Sequence, residues 1–555
     1  MKQISYIILT LLCYTAFAQK NAESVTITYQ SSFNGNRDTT SSTIVDISKN
    51  SAKIYSVGES YPGSPDVVTY IDFVDSSVYQ CATLDNGQIV SSTYKFKFDN
   101  WEYTDETETV AGVKCKKAYT TINSNRIDIY YTSDIKFWGT PAPRFGITKG
   151  LVLKYVINAS RVLEAVNIEY SKKSKDLLPS TYGKIVESHV LQKMLNENST
   201  KVVDIFNNQR ICFDTGIKSP TSYSEIGGDS VYRFANGTIV LRKVQLPDSA
   251  WNYDIFAELT QYSDGDAYDR TGTVFVIPTD KELSYLDGLL KGVEVLPSFE
   301  TKTGKRQYGK VSTEKYNVPV ELIRFYTSFG TRAYNKYKYG DYNWYDSIVF
   351  HQDVTALSKY LSHEAWIGVF IGNYDRGGHI INLKLKYHPN GSGIRREVIP
   401  LFNTLNIMEM AGQSYSDFFD TDSLVVDFKI NHELANVILS YISTGHGGWG
   451  GGDEFNRKPN SIILDGNKTV FTPWRCDCAS NREKNPCSGN SPDGLTSSDY
   501  SRSGWCPGTI TNPVEFNYEK LSAGSHRIII AIPQGPREGN SFSAWNVSGN
   551  LIIEQ

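Results

Sequence analysis

Three short stretches of this 555-residue chain gather residue types that can do chemistry. The first is Ser443-Thr444-Gly445-His446-Gly447-Gly448-Trp449-Gly450-Gly451-Gly452-Asp453-Glu454-Phe455, where glycine takes six of thirteen positions. Glycine admits turns closed to other residues, and these turns carry an imidazole, an indole and two carboxyls. Apolar runs at 437–442 and 461–464 flank the stretch. It therefore reads as a loop on a rigid sheet that offers a sugar-stacking ring beside titratable groups, or as a plain hairpin with a surface aromatic. The second stretch is Tyr268-Asp269-Arg270, at the mouth of the strand-like run 273–278. Alone, its Asp–Arg pair reads as a surface ion pair. The third is Ser501-Arg502-Ser503-Gly504-Trp505-Cys506-Pro507-Gly508. Spacing excludes two chemistries. His363-Glu364 and His432-Glu433 open the H-E-x-x-H pattern of a zinc protease, but Ile367 and Asn436 stand where the second histidine must be. The glycine-rich stretch also lacks the Lys-Ser/Thr ending of a phosphate cradle.

The elements that must position these stretches read as all-β. Aromatics are 13% of the chain, with 36 Tyr against 4 Met, in β-branched runs broken by Gly, Asn, Asp and Ser. Alternating runs at 25–29, 53–57, 94–98 and 127–131 predict a separate, half-buried antiparallel accessory domain over 19–175. Residues 176–224 read as a connector, with an amphipathic helix over 184–195. Two further β domains follow at 225–389 and 390–555, divided at the turn His388-Pro389-Asn390-Gly391. Within the first, a helical turn is expected at 356–361 and strands at 366–371 and 381–387.

With 56 basic and 60 acidic residues the net charge is −4, which argues against nucleic acid or an anionic membrane surface as partner. Residues 1–18 read as a signal peptide: Lys2, an apolar segment 4–12, and Ala16-Phe17-Ala18 before Gln19. No later apolar run reaches membrane-spanning length. The expectation is an exported, periplasmic or secreted monomer with no metal or cofactor. Without Cys13, seven cysteines remain. Cys81 with Cys115 is one expected disulfide, and Cys476, Cys478, Cys487 and Cys506 supply two more in undetermined pairing. Cys212 is left as a small buried residue. A zinc site on the last four cysteines competes, but their C-x-C opening and export fit disulfides better.

Two resemblances give these residues roles. Val113-Lys114-Cys115-Lys116-Lys117-Ala118, then 130–135 and 144–153, resemble the GLPGLI family of exported proteins, which implies an accessory module, substrate-recruiting or bowl-shaped. Over about 225–555 the chain resembles the peptide-N-glycosidase F family, amidases that cut between Asn and the first N-acetylglucosamine of an N-glycan. Tyr268-Asp269-Arg270 resembles the segment with that family's principal catalytic Asp. Asp353-Val354-Thr355 and the following strand match through Tyr374, and Asp453-Glu454-Phe455 matches its active-site Glu. Arg502 to Gly508 is similar to its specific Arg-x-Gly-Trp-Cys-Pro-Gly. The resemblance implies two adjacent eight-stranded jelly-roll β-sandwiches with the site between them. This chain departs where Gly372 occupies the family's third acidic position, with Asp375 nearby but not equivalent, and Asp375 is counted among the expected substrate-binding residues. Tyr268 and Phe455 also replace Trp, and Gly265, Gly452 and Asn456 stand where the best-known member has disulfide cysteines.

On that resemblance Asp269 orients and deprotonates a water or attacks directly, an effect of about 10²–10⁴ in rate for acid–base action. Arg270 and Arg502 hold Asp269 ionised and donate to a developing oxyanion. Glu454 binds sugar hydroxyls or assists the leaving group. Tyr268, Tyr374, Trp449 and Trp505 offer flat faces to the chitobiose core of an N-linked glycoprotein or glycopeptide, with His446 as a hydrogen-bond donor. Two rivals stand beside this reading: a glycoside hydrolase using Asp269 and Glu454 as its carboxylate pair, and a non-catalytic glycan-binding protein.

Overall fold

The structure, a computed structural model, describes residues 22–58, 65–96, 101–145, 150–330, 345–390, 393–414, 419, 421–447, 452–489, 492, 494–535 and 543–554. The segment 1–18, expected to be a signal peptide, and Trp449 lie outside the described residues. The chain divides into two compact units, 1–200 and 201–555.

The first unit is one sheet of thirteen strands among the described residues. At its middle Ser24–Phe33 pairs with Arg161–Ser171, Val25 opposite Tyr170 and Phe33 opposite Arg161. Every pair is antiparallel except Lys184–Ile185, which adds to Ile89–Lys95 in parallel. Inward positions of alternating strands (Val25, Ile27, Tyr29, Val45, Ile47) bury their side chains against Ile135 and Phe137 of the long connection that crosses the sheet. The helix expected at 184–195 runs Ser188–Ser199, four residues later, and Leu191 packs on Leu84 and Val90. Two disulfide expectations fail. Cys81 and Cys115 sit on strands eight places apart in the sheet and are free, buried thiols.

In the second unit Lys201–Ile211, His379–Pro389, Tyr253–Ser263 and Ile348–Asp353 form one sheet of the first sandwich. Val231–Phe234, Ile239–Gln245, Glu364–Ile371, Thr271–Ile277, Val320–Tyr326 and Ile510–Thr511 form the other. The two sheets share one core of Ile255, Leu259, Val274, Ile323, Val369 and Leu385. Residues 201–211 are thus a strand, not a connector. Its pairing shifts register between Asp204 and Phe206 and again before Gln209, so its apolar residues do not alternate and the pattern is hidden. By contrast His379–Pro389 alternates cleanly, with Ile381, Leu383, Leu385 and Tyr387 inward. Thr271–Ile277 is buried on both faces, Val274 and Val276 in the sandwich core and Phe275 and Ile277 under the helix Tyr285–Lys291. That explains its unbroken apolar run.

The second sandwich packs Arg396–Asn403, Ala544–Glu554, Leu434–His446 and Val514–Leu521 on Leu424–Ile430, Gly524–Ala531, Asn460–Leu464 and Asn467–Phe471. The strand Ile510–Thr511 leaves this half to pair with Arg324 and Phe325 of the first sandwich, which ties the two together. Among the last four cysteines one disulfide forms, Cys478–Cys506, and Cys476 is an exposed thiol, so the second expected bridge is absent. Two of the four sulfurs are consumed in that bond, which removes the zinc reading. Cys212 is buried. Among the described residues no helix is long and apolar enough to cross a membrane.

Candidate active site

Asp269 lies two residues before the start of the doubly buried strand Thr271–Ile277. Thr327 fixes the turn that holds it: its hydroxyl accepts from the Arg270 N–H at 2.7 Å and donates to the Tyr268 carbonyl at 2.8 Å. Thr327 follows Tyr326, which is paired with Thr271 across the sheet. From the other sandwich come Glu454, just past the glycine-rich loop, and Arg502. The 501–508 segment is pinned by backbone hydrogen bonds from Arg475 to Arg502 (2.7 Å), Ser503 to the Glu454 carbonyl (2.9 Å), and Gly508 to Tyr326 (3.1 Å). Gly504 sits at φ +84°, where a Cβ would stand 2.4 Å from the Ser443 carbonyl oxygen, so only glycine fits that close crossing.

Arg502 joins the two carboxylates. Its Nε donates to Glu454 Oε1 at 2.9 Å and its Nη2 to Asp269 Oδ2 at 3.3 Å. The guanidinium is 1% exposed, whereas Asp269 and Glu454 keep 19% and 20% of their side chains accessible. The carboxyls therefore face an opening and the charge that binds them lies behind. Burial raises Asp269 from 3.8 to about 7; the Arg502 charge opposes the rise and the Glu454 charge adds to it. The resulting group is half-protonated near neutrality.

Behind Arg502, the Trp505 ring lies 4.7 Å from the guanidinium and stacks on Tyr326 at 4.4 Å. Trp505 is 3% exposed and donates its Nε1–H to the Gly445 carbonyl at 2.9 Å. His446 shares this cluster: its Nε2 is 2.9 Å from Thr444 Oγ1, which also accepts from the Tyr326 hydroxyl at 2.9 Å. Burial, with the Arg324 and Arg502 charges, lowers His446 to about 3, so the ring is neutral. The sequence reading gave Trp505 and His446 direct glycan contacts. The structure instead buries both beside Arg502, the Trp505 N–H spent on the Gly445 carbonyl and the His446 Nε2 on Thr444.

The other expected residues divide as follows. Arg270 lowers Asp269 through its charge, while its guanidinium grips Asp266 with two hydrogen bonds, Nε at 2.7 Å and Nη2 at 3.1 Å. Burial works against an ionised Asp266, but His379 and Arg270 outweigh it and hold the group at about 2. Arg270 then presents to Tyr268 and Tyr374, 4.9 and 5.4 Å from their ring centres. Those residues are 57% and 56% exposed. Asp375 closes its own turn, accepting from the Gly377 and Gly378 N–H groups at 2.7 and 2.9 Å, and is a structural cap.

Three further residues escaped the sequence reading. Asp266 could have been found as the i−4 carboxylate of Arg270. Thr327 carries no signal of its own. Glu409 accepts from the Tyr374 hydroxyl at 2.9 Å, and burial raises its carboxyl above the ordinary value against the pull of Tyr374, Lys310 and Arg270. Glu409 brings a carboxyl to the Tyr374 side of the opening, and its surroundings, Asn406-Ile407-Met408-Glu409-Met410-Ala411, look in sequence like ordinary core.

Comparison with known proteins matches residues 202–387 to a family model described as Peptide-N-glycosidase F, N terminal, and 414–552 to its C-terminal counterpart. Residues 27–190 match one described as N-glycanase peptide, N-terminal domain. Among curated proteins nothing matches. Among solved structures, PNGF-II in a P21 crystal form is 41% identical over 96% of this chain and 99% of that one, with a TM-score of 0.76. A C2 form of PNGF-II is 41% identical over 96% and 98%, with a TM-score of 0.66. PNGase F, described as a glycosylasparaginase from Flavobacterium meningosepticum, is 13% identical over 64% and 96%, with a TM-score of 0.41. With a relative so similar along nearly its whole length, the chain belongs to the peptide-N-glycosidase F family.

Proposed function

We propose that the protein is an amidase that hydrolyses the bond between Asn and the first N-acetylglucosamine of N-linked glycopeptides and glycoproteins. The observation that carries this reading is the single buried guanidinium of Arg502 holding Asp269 and Glu454 at one opening. A glycosylated amide is a poor electrophile, so its hydrolysis needs an activated water and a stabilised oxyanion. Asp269, near 7, is matched to accept a proton from water at neutral pH. The hydroxide adds to the side-chain carbonyl carbon, and the C–N bond breaks as a proton passes to the departing nitrogen. The products are an Asp carboxylate and an intact glycan bearing an amine at its first sugar. Arg502 stabilises the charge that develops, and Glu454 orients the first sugar and its leaving nitrogen. Tyr268 and Tyr374 present faces to the chitobiose core. Glu409, held by Tyr374, supplies a carboxyl on the side where Gly372 has none. In this reading the two sandwiches are the family's pair of jelly rolls, and the leader at 1–18 exports the chain to where glycoproteins are met.

Mass spectrometry of a defined N-glycopeptide incubated in water enriched in heavy oxygen tests the assignment. Loss of the whole glycan with labelled Asp in place of Asn supports it. A peptide that keeps one N-acetylglucosamine would mean a glycosidase, and an unchanged but retained peptide a binding protein.

A further inference from the structure

The sheet of the first unit closes around a cavity that the amidase reading leaves unused. Tyr94 on Ile89–Lys95 and Tyr155 on Leu151–Ile157 both line it, although these strands are seven places apart in the sheet. Flat strands at about 4.8 Å spacing would set them more than 30 Å apart. The sheet is therefore curled, and the cavity inside the curl measures about 710 Å³.

Its lining is unusual in charge. Arg37, Arg144 and Arg161 reach it, and among the described residues none of the three makes an ion pair. The one acidic neighbour, Asp38, is occupied by its own turn, accepting from Thr40 and Ser41. Flat apolar surface lies beside the charge: Phe33 is 54% exposed with the Arg161 guanidinium 5.9 Å from its ring centre. Tyr155 is 4% exposed, and its buried hydroxyl has no hydrogen-bond partner among the described residues. The Arg144 charge acts on both Tyr94 and Tyr155. Neutral donors and acceptors from Ser32, Asn36 and Gln80 complete the wall. Uncompensated guanidiniums call for an anion, and a carboxylate meets the Arg fork with two parallel hydrogen bonds. An exposed aromatic face ringed by amides and hydroxyls calls for a sugar ring.

We propose that this cavity binds a carboxylate-bearing sugar, of the kind that ends an acidic glycan. The inference does not rest on the amidase reading, since binding in the first unit is read without turnover.

Calorimetric titration of the full-length protein carrying Asp269→Asn tests it, with 3′-sialyllactose and glucuronic acid as ligands and lactose and acetate as controls. At least one acidic sugar should bind about tenfold or more tighter than lactose and acetate, and Arg144→Ala and Phe33→Ala should each weaken it about tenfold. Both side chains are exposed, so the variants should melt at the temperature of the Asp269→Asn parent. Failure of both acidic sugars to bind would overturn the proposal. So would equal binding of lactose, equal binding of acetate, or an Arg144→Ala protein that binds as wild type.

Discussion

The opposed demands on Asp269 make its charge state the most informative property of the site. Burial lifts it from 3.8 to about 7 while Arg502 pulls it down. Between about pH 4 and pH 7 the folded chain keeps a proton that the unfolded chain has lost, so at this site stability falls as pH rises across that window. Above pH 7 the penalty is complete. Asp269→Asn should therefore abolish hydrolysis and yet stabilise the fold at pH 8, by about 1–4 kcal/mol, with the gain vanishing below pH 4. Denaturant unfolding at the two pH values checks this, and a variant less stable at pH 8 would refute the burial argument. Arg502→Lys replaces a fork that reaches two carboxylates with one point charge. We expect kcat to fall about 10²–10³-fold and the acidic limb of the pH–rate profile to move upward, because an ammonium that does not reach both carboxylates opposes the rise at Asp269 less. A limb that stays in place would show that Arg502 does not set that value. Asp269, Glu454 and Arg502, which the structure brings to one opening, were singled out in the sequence only through the resemblance of their stretches to a known family. The burial of His446 and Trp505 and the place of Glu409 were not legible, since all depend on which strands cross.

Elements carry the next level of control, where two sandwiches must present one carboxylate each. The junction is the strand Leu434–His446, whose Thr444 accepts from buried Arg324 at 3.1 Å and from Tyr326 at 2.9 Å. At its end Gly445 donates its N–H to the Ser503 carbonyl at 3.0 Å and accepts from Trp505. A Cβ there would stand 2.8 Å from the Asp453 carbonyl oxygen and 2.9 Å from both Ser503 and Trp545. Two of these neighbours border the carboxylate and guanidinium of the site, so any relief of the clash moves Glu454 or Arg502. Gly445→Ala should cost about 1–3 kcal/mol and lower kcat more than it raises KM, measured by thermal unfolding and by glycopeptide kinetics. An activity loss no larger than the unfolded fraction would argue against this coupling. In sequence this glycine was one of six in a flexible-looking loop. Its tight packing was hidden because the strand Leu434–His446 runs further than its apolar run 437–442 indicates.

For the whole molecule the question is where the catalytic part begins. The sequence placed that start at 225, because the shifted register of Lys201–Ile211 erased the alternation that made its partner His379–Pro389 obvious. Yet Ile205, Phe206 and Ile211 lie within the core of the first sandwich, and every residue of the candidate site falls in the unit 201–555. A chain starting at Lys201 should therefore fold and hydrolyse a short neutral glycopeptide within about tenfold of the full protein, a loss of under about 1.4 kcal/mol in transition-state stabilisation. A chain starting at residue 225 loses three buried apolar side chains, worth about 1.5–3 kcal/mol each. That sum rivals the whole stability of a domain, about 5–15 kcal/mol. It also leaves the inner strand His379–Pro389 as a bare edge open to pairing with other copies. Thermal melting, light scattering and activity of the two truncations decide the matter. If the shorter chain melts within a few degrees of the longer one and stays monomeric, the strand Lys201–Ile211 is an ornament and the boundary read from sequence was the right one.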